Sequence, residues 1–429
     1  MKIIRAVRGF PLAVQLLLVN QFGVNIGFYL LIPYLALHMS DDLGMSAALI
    51  GIVLGVRTLS QQGLFLIGGS AADRLGARGV IIAGCGLRTV GFGLFAFGDT
   101  FAVLLSAAVL TGLAGALFNP AVRAYISVES GPRKAEAFAL FQVFATAGAL
   151  VGPLLGAALL LADFRASAIT AAAIFAVLTV AQALVLPARE VPGGTNRPGV
   201  LSDWREVFTN GRFLCFALAM TAMFTLETQL YLLFPDGART ATGWTGAASA
   251  IFLLGTLAAL TLQLRITTRL KARGDRGRWI STGLVLMGLA FVPPLLVTGS
   301  ETGSPDGAGE AAVRLLPVLA GALLLYVGVM MASPFVMELI PSFGRESLTG
   351  TYYGLFYVVS GIAAAAGNAT IGWTMDLGEQ HGLPWLPWVL CLTFGLGSAA
   401  GVALLRRRDA LPVPEPAQPA PAPGRKVAS

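Results

Sequence analysis

Charge is scarce in this chain. Only 12% of its 429 residues are Asp, Glu, Lys or Arg, whereas 56% are hydrophobic. A soluble domain carries about 25% charged residues, so the composition excludes a soluble globular protein. Histidine is rarer still: His38 and His381 are the only two, and both lie outside the apolar runs. That excludes a His-built metal or catalytic centre. Cys85, Cys215 and Cys391 are scattered through apolar stretches, which gives neither metal spacing nor a disulfide framework. The sequence has no Gly-x-x-x-x-Gly-Lys-Ser/Thr loop, so ATP drive within this chain is not expected. It also lacks paired carboxylates of catalytic type and a large soluble domain. The first argues against a membrane enzyme and its cofactors, the second against a membrane sensor or scaffold.

Long apolar runs are what the chain does have. A membrane-spanning helix needs about 20 apolar residues, and twelve such runs are found: 13–37, 46–69, 79–98, 101–126, 136–162, 166–187, 212–234, 244–265, 279–298, 314–340, 349–372 and 385–405. The N-terminal Met1-Lys2-Ile3-Ile4-Arg5 is followed by apolar sequence to Leu37 without a small-residue cleavage site, so span one is read as retained. Fifty-two glycines and many alanines suit close packing of spans through small side chains.

The longest polar interval, 188–211, divides two six-span halves, 1–187 and 212–405. The Pro- and Ala-rich segment 406–429 reads as a disordered tail. Basic residues set the orientation. With the N-terminus inside, 23 of the 29 Lys and Arg fall on the cytoplasmic side. Arg57, Arg88 and Arg123 lie within spans, and Arg165, Arg239 and Arg314 face outside. The expectation is a multi-pass protein of a bacterial plasma membrane with both termini in the cytoplasm. The net charge of +7 is thereby accounted for without a nucleic-acid partner.

Two internal echoes relate the halves. Arg74-Leu75-Gly76-Ala77-Arg78-Gly79 after span two recurs as Arg269-Leu270-Lys271-Ala272-Arg273-Gly274 after span eight. Asn119-Pro120 followed by Arg133 resembles Ser333-Pro334 followed by Arg345. Like halves imply a pseudo-twofold axis along the membrane normal and a binding site at their interface near the midplane.

Gly69, Asp73, Arg74, Gly76 and Arg78 form Gly-x-x-x-Asp-Arg-x-Gly-x-Arg, a charged turn between spans two and three. Gly148, Gly152, Pro153 and Gly156 form Gly-x-x-x-Gly-Pro-x-x-Gly in span five. With both motifs at these positions, nearly the whole chain outside the tail resembles the major facilitator superfamily. Within it the similarity is to the twelve-span drug:proton antiporters of MdtH type. The resemblance implies an all-α fold of two six-helix bundles, exchange of small hydrophobic or amphipathic compounds for protons by alternating access, and action as a monomer. It also implies that Asp73 latches the halves together by facing the start of span eleven. Two positions depart from the pattern. Mid-span four has Ser106-Ala107-Ala108-Val109 where relatives often carry an arginine, and span one has Asn20, Gln21 and Asn25 where they often carry an acid.

Ionisable groups within a bilayer are costly, which makes each a functional candidate. Glu227 in span seven, flanked by Thr225 and Thr228, is the only carboxylate well inside a span. It is the candidate proton carrier or cation contact, with a hydrogen-bonded packing role as the plain alternative. Arg57 in span two shares a helix face with Gln61. It is placed to pair with Glu227, to meet an anionic substrate, or to pin two spans together. Arg88 reads as structural. Arg123 and Glu338, near the cytoplasmic ends of spans four and ten, are a candidate ion-pair gate between the halves. Asn20, Asn25 and Tyr29 in span one, Gln61 in span two, and Tyr353 and Tyr357 in span eleven are candidates for the lining of a cavity that takes varied amphipathic molecules. The glycines of span five repeat every four residues, giving a smooth face that Pro153 can bend. A narrow metabolite exporter and a proton symporter are the nearest alternatives within the transporter class.

Overall fold

In the computed structural model the described residues are 2–45, 47–160, 163–187, 199–243, 247–299 and 307–412. The interdomain segment 188–198 and the tail from residue 413 onward lie outside them. Among the described residues every regular element is a helix. In hydrocarbon, backbone groups must be satisfied within the segment, and helices do this along each apolar run.

The N-terminal half begins with a short helix, α1 (Lys2–Arg8), and then α2 (Leu12–Leu37), α3 (Ala47–Gly63), α4 (Phe65–Leu75), α5 (Ala77–Phe97), α6 (Phe101–Glu129), α7 (Lys134–Leu160) and α8 (Phe164–Val185). Helix α9 (Val200–Thr209) bridges to the second half. There follow α10 (Gly211–Ala219), α11 (Thr221–Glu227), α12 (Leu233–Thr242), α13 (Ala248–Ala272), α14 (Arg276–Leu289), α15 (Val292–Val297), α16 (Ala308–Leu339), α17 (Thr349–His381) and α18 (Leu386–Arg407).

Eleven helical stretches among the described residues are long and apolar enough to cross a membrane. The twelfth segment, expected as one span over 46–69, is instead two helices, α3 and α4, interrupted at Leu64. Span seven is also subdivided, into α10, α11 and α12 with a 3-10 turn at Thr228–Tyr231. Several helices outrun their apolar stretches. Helix α17 continues to His381, and α18 carries Arg406 and Arg407 in its last turn, residues the sequence assigns to the tail. Hydropathy marks the stretch that belongs in hydrocarbon, whereas the helix continues into polar surroundings. Within 188–211, a stretch that reads only as linker contains α9, an amphipathic helix that buries Asp203 and Val207.

Packing repeats between the halves. Span three (α5) packs on spans four (α6) and six (α8), and span nine (α14) on spans ten (α16) and twelve (α18). Span one (α2) packs on span five (α7), as span seven (α11) packs on span eleven (α17). The contacts that join the halves obey the same rule: span two (α4) meets span eleven (α17), and span five (α7) meets span eight (α13). A shift of six spans exchanges each of these pairs, as a pseudo-twofold axis requires.

Candidate functional site

Between the halves lies a cavity of about 760 Å³, lined by α2, α7, the Glu227 region of span seven, α13 and α16. Its walls are mostly apolar and aromatic, and its polar groups are few: Asn25, Tyr29, Gln142, Thr146, Glu227, Tyr231, Thr256, Gln263 and Tyr326. Among the described residues Glu227 is the only charged one in the lining. It is the last residue of α11, where the chain tightens into the 3-10 turn, and among the described residues its carboxylate has no hydrogen-bond or ion-pair partner. Tyr29 is close enough to feel both the Glu227 carboxylate and the Arg57 guanidinium.

The sequence candidates separate into groups. Asn25 and Tyr29 line the cavity. Asn25 also ties α2 to α7, donating to the Ala145 carbonyl at 2.7 Å and accepting from Gln21 at 3.1 Å. Asn20 lies outside the lining; it is buried and accepts a 2.7 Å hydrogen bond from Gln182 of α8. Arg57 does not pair with Glu227. Its Nη1 reaches Gln61 Oε1 at 3.4 Å, its guanidinium lies 5.1 Å from the Phe28 ring centre, and its Nε is buried without a partner. Gln61 packs against α6, where a Cβ on Gly115 would lie 2.9 Å from its Cδ, and it is not part of the lining.

The expected Arg123–Glu338 gate pair is not formed. Glu338 pairs with Arg276 of its own half at 3.3 Å. Arg123 donates to the Asn119 carbonyl at 3.0 Å and lies between the rings of Phe141 and Tyr357, 5.4 and 4.7 Å from their centres. Similar depth in two spans does not bring their side chains together; helix rotation decides that, and one sequence does not display it. Tyr353 and Tyr357 are absent from the cavity lining. Tyr353 is fully buried and donates to the Met337 carbonyl at 2.7 Å, and Tyr357 Oη lies 3.4 Å from Met337 Sδ. Tyr357 packs against Phe65, Phe224 and Arg123, and Tyr353 against Phe138, forming an aromatic plug. It sits about two helical turns along α16 from the cavity-lining Met330.

The span-five glycines face span one. A Cβ on Gly148 would meet the Phe22 carbonyl and lie 2.8 Å from Asn25 Cβ; one on Gly152 would lie 2.8 Å from Tyr29 Cβ. Gly156 is closed in by the Leu30 carbonyl, and the Pro153 carbonyl accepts from Tyr34 Oη at 2.8 Å. The seam therefore brings Asn25 and Tyr29 up to the cavity.

The charged motif is largely helical. Gly69, Asp73 and Arg74 belong to α4, and the turn itself is Gly76, whose φ of +87° lies in the region that favours glycine. Asp73 caps α17 across the interface: Oδ1 accepts from Gly350 N at 2.8 Å, and Oδ2 accepts from Thr351 N and Thr351 Oγ1, each at 2.7 Å. These are charge-assisted bonds at the positive end of a helix dipole. Gly69 and Gly350 let the two backbones touch, since a Cβ on Gly350 would lie 2.5 Å from the Gly69 carbonyl oxygen. Arg78 donates to the Ala183 carbonyl at 2.7 Å, which fastens the turn to the end of α8.

Helix α9, not recognised in the sequence, joins this assembly. Asp203 pairs with Arg74 at 2.6 Å, Trp204 donates to Ser70 Oγ at 2.6 Å, and Glu206 pairs with Arg345 of the second half. Lys271 adds a further bridge, donating to the Pro132 carbonyl. The sequence signal available for α9 is the Trp204-Arg205-Glu206 run inside the polar interval.

Two six-helix halves related by a twofold repeat, holding a largely apolar cavity between them and latched together at one end, define a secondary transporter. The chain belongs to the Major Facilitator Superfamily, whose family model matches residues 17–368. It is 38% identical over 404 residues to an uncharacterized MFS-type transporter of Mycobacterium tuberculosis, covering 94% of each chain. It is 30% identical over 380 residues to the multidrug resistance protein MdtH of Proteus mirabilis, covering 88% of this chain and 91% of that one. Among solved structures, the E. coli fucose:proton symporter FucP is similar with a TM-score of 0.69 at 14% identity, over 91% of this chain and 98% of that one. A POT family transporter in complex with 5-aminolevulinic acid is similar with a TM-score of 0.67 at 13% identity, over 94% and 99%. At such identities these structures speak for the fold alone.

Proposed function

We infer that this transporter exports small amphipathic compounds from a bacterial cytoplasm in exchange for protons, acting as a monomer in the plasma membrane with both termini inside. The observation that carries the reading is Glu227, a carboxylate without a counter-ion among the described residues, in an aromatic, largely apolar cavity. An ionised carboxylate held out of water costs several kcal/mol. A proton or a cationic group on the substrate relieves that cost, so the two compete for the same place. Four aromatic side chains, Tyr29, Tyr231, Phe252 and Tyr326, offer faces for stacking without fixing one shape. This suits varied amphipathic molecules, in keeping with the multidrug resistance proteins among the relatives.

On this reading the basic end is cytoplasmic, and the Asp73 latch, α9 and the aromatic plug hold it closed. The cavity then faces outside, ready to release substrate and take up a proton. Protonation neutralises Glu227 and makes it compatible with a closed, dry cavity on the return path. Inside, a substrate displaces the proton. Each pH unit across the membrane is worth about 1.4 kcal/mol per proton, enough for about tenfold accumulation of a monocationic substrate at one-for-one, electroneutral exchange.

The test uses the full chain in lipid vesicles with an imposed pH gradient and a panel of amphipathic dyes. Accumulation of at least one dye follows the gradient in the wild type. Glu227→Gln binds the dye but loses gradient-driven accumulation. Accumulation indifferent to the gradient contradicts proton coupling, and uptake running with the proton reverses the direction to symport.

A further inference from the structure

The break in span seven comes immediately after Glu227. Helix α11 ends there, the 3-10 turn covers Thr228–Tyr231, and Leu232 has φ −121° and ψ −76° before α12 resumes at Leu233. Non-helical backbone at membrane depth persists only where protein or trapped water supports it. The support here comes from one face of α17. Asn368 Oδ1 accepts from the Gln229 amide at 2.8 Å and lies 2.7 Å from Thr228 Oγ1, which is equally close to the Thr225 carbonyl. Gln229 is fully buried, and its second amide proton goes to the Thr225 carbonyl at 2.8 Å. One turn earlier on α17, Thr225 Oγ1 donates to the Ala363 carbonyl at 3.2 Å. Gly367 leaves room for Thr225, where a Cβ would lie 2.7 Å from Thr225 Oγ1. Three positions of α17 thus grip the turn that presents Glu227.

The same helix is held at its first turn by Asp73. Helix α17 runs unbroken from Thr349 to His381 and contains no proline. Thr351 and Asn368 are therefore about 26 Å apart along one rigid rod, at 1.5 Å per residue. A displacement of α17 at the latch must reach the turn below Glu227.

We propose that Asn368 is the positioning residue for Glu227: it fixes the break in span seven so that the carboxylate enters the cavity unpaired, and through α17 it ties that carboxylate to the Asp73 latch. This rests on the reading of Glu227 as the proton carrier. Tyr29 from α2, Tyr231 from span seven, Tyr326 from α16 and Tyr357 from α17 are the titratable groups within electrostatic reach of Glu227. Arg57 stands beside Tyr29 and Arg123 beside Tyr357. Among the described residues the lining from α7 and α13 adds no titratable group, so a pH midpoint that responds to Asn368 is read as that of Glu227, with Glu227→Gln as the control.

The experiment compares wild type, Glu227→Gln, Asn368→Ala, Thr228→Val with Gln229→Leu, and the combination of the last two, all in vesicles. Dye binding, gradient-driven uptake and the pH midpoint of uptake are measured. Asn368→Ala should keep the dye Kd within about threefold, cut gradient-driven uptake about tenfold because a buried amide loses its acceptor, and move the pH midpoint. Removing the donors should give the same defect, and combining the changes should add little, because both sides of one interaction are already lost. If Asn368→Ala fails to fold, the donor-side variant carries the test alone. Wild-type uptake and an unmoved midpoint in the folded variants, alongside a coupling defect in Glu227→Gln, overturn the positioning role while leaving the carrier intact. Intact coupling in Glu227→Gln overturns both.

Discussion

At the scale of single residues, the costliest groups were the most legible. A carboxylate inside an apolar run stands out, and Glu227 lies in the cavity as its isolation suggested. Asp73 was visible through its motif, and its partners turn out to be the first backbone amides of α17. Pairings between distant charges were not legible. Arg57, Arg123 and Glu338 all find partners on their own or neighbouring helices, because long side chains settle wherever local rotation points them. Asn368 went unnoticed: a single neutral amide in an apolar span has no sequence signature of its own. The Asp73 geometry yields a sharp expectation. In Asp73→Asn the amide nitrogen must confront the Gly350 or Thr351 N–H, which replaces a charge-assisted acceptor with a donor. Turnover should fall about tenfold while substrate affinity stays within about threefold, since only the balance between closed and open states is altered. Equal losses in affinity and turnover, measured by dye binding and initial rates, would contradict a latch.

At the scale of elements, apolar length located the spans and missed their interruptions. The break at Leu64 in span two and the turn after Glu227 in span seven fall within runs that look continuous. Both are maintained by neighbours rather than by local propensity: Phe65 and Leu66 pack against Gly354, and Thr228 and Gln229 are held by Asn368. Helix α9 was hidden for the opposite reason, because its composition is polar and its amphipathic face matters only once Arg74, Ser70 and Arg345 are in place. The glycine seam of span five was legible as a smooth face, but its partner was not. With Asn25 and Tyr29 directly against it, the seam sets the cavity wall. Gly152→Val should therefore push Tyr29 away and overpack the α2–α7 contact, costing about 1–3 kcal/mol. Thermal melting in detergent should show a lower Tm together with weakened dye binding, and a variant with unchanged Tm and affinity would argue against the close approach seen here.

At the scale of the molecule, the repeats at 74–79 and 269–274 anticipated two like halves, and the packing shows how far the likeness extends. Each repeat turns the chain at a glycine with positive φ, but at different positions, Gly76 at +87° and Gly274 at +66°, and the aspartate that crosses the interface to cap a helix, Asp73, precedes the first copy. The symmetry-related contact of spans five and eight uses a lysine on a carbonyl instead. The two crossings at the basic end are therefore unequal. The one through Asp73 is on α17, whose Asn368 also grips the turn that follows Glu227, so one helix touches both the latch and the turn that presents the cavity carboxylate. On the proposed reading, an exchanger built this way alternates because the cavity does not close over a bare Glu227, and because substrate and proton compete for it. The most direct measurement is proton release from the purified protein in weakly buffered detergent near neutral pH as a binding dye is added. The account predicts up to one proton released per protein molecule in the wild type and none in Glu227→Gln that still binds the dye; release undiminished in that variant would contradict it.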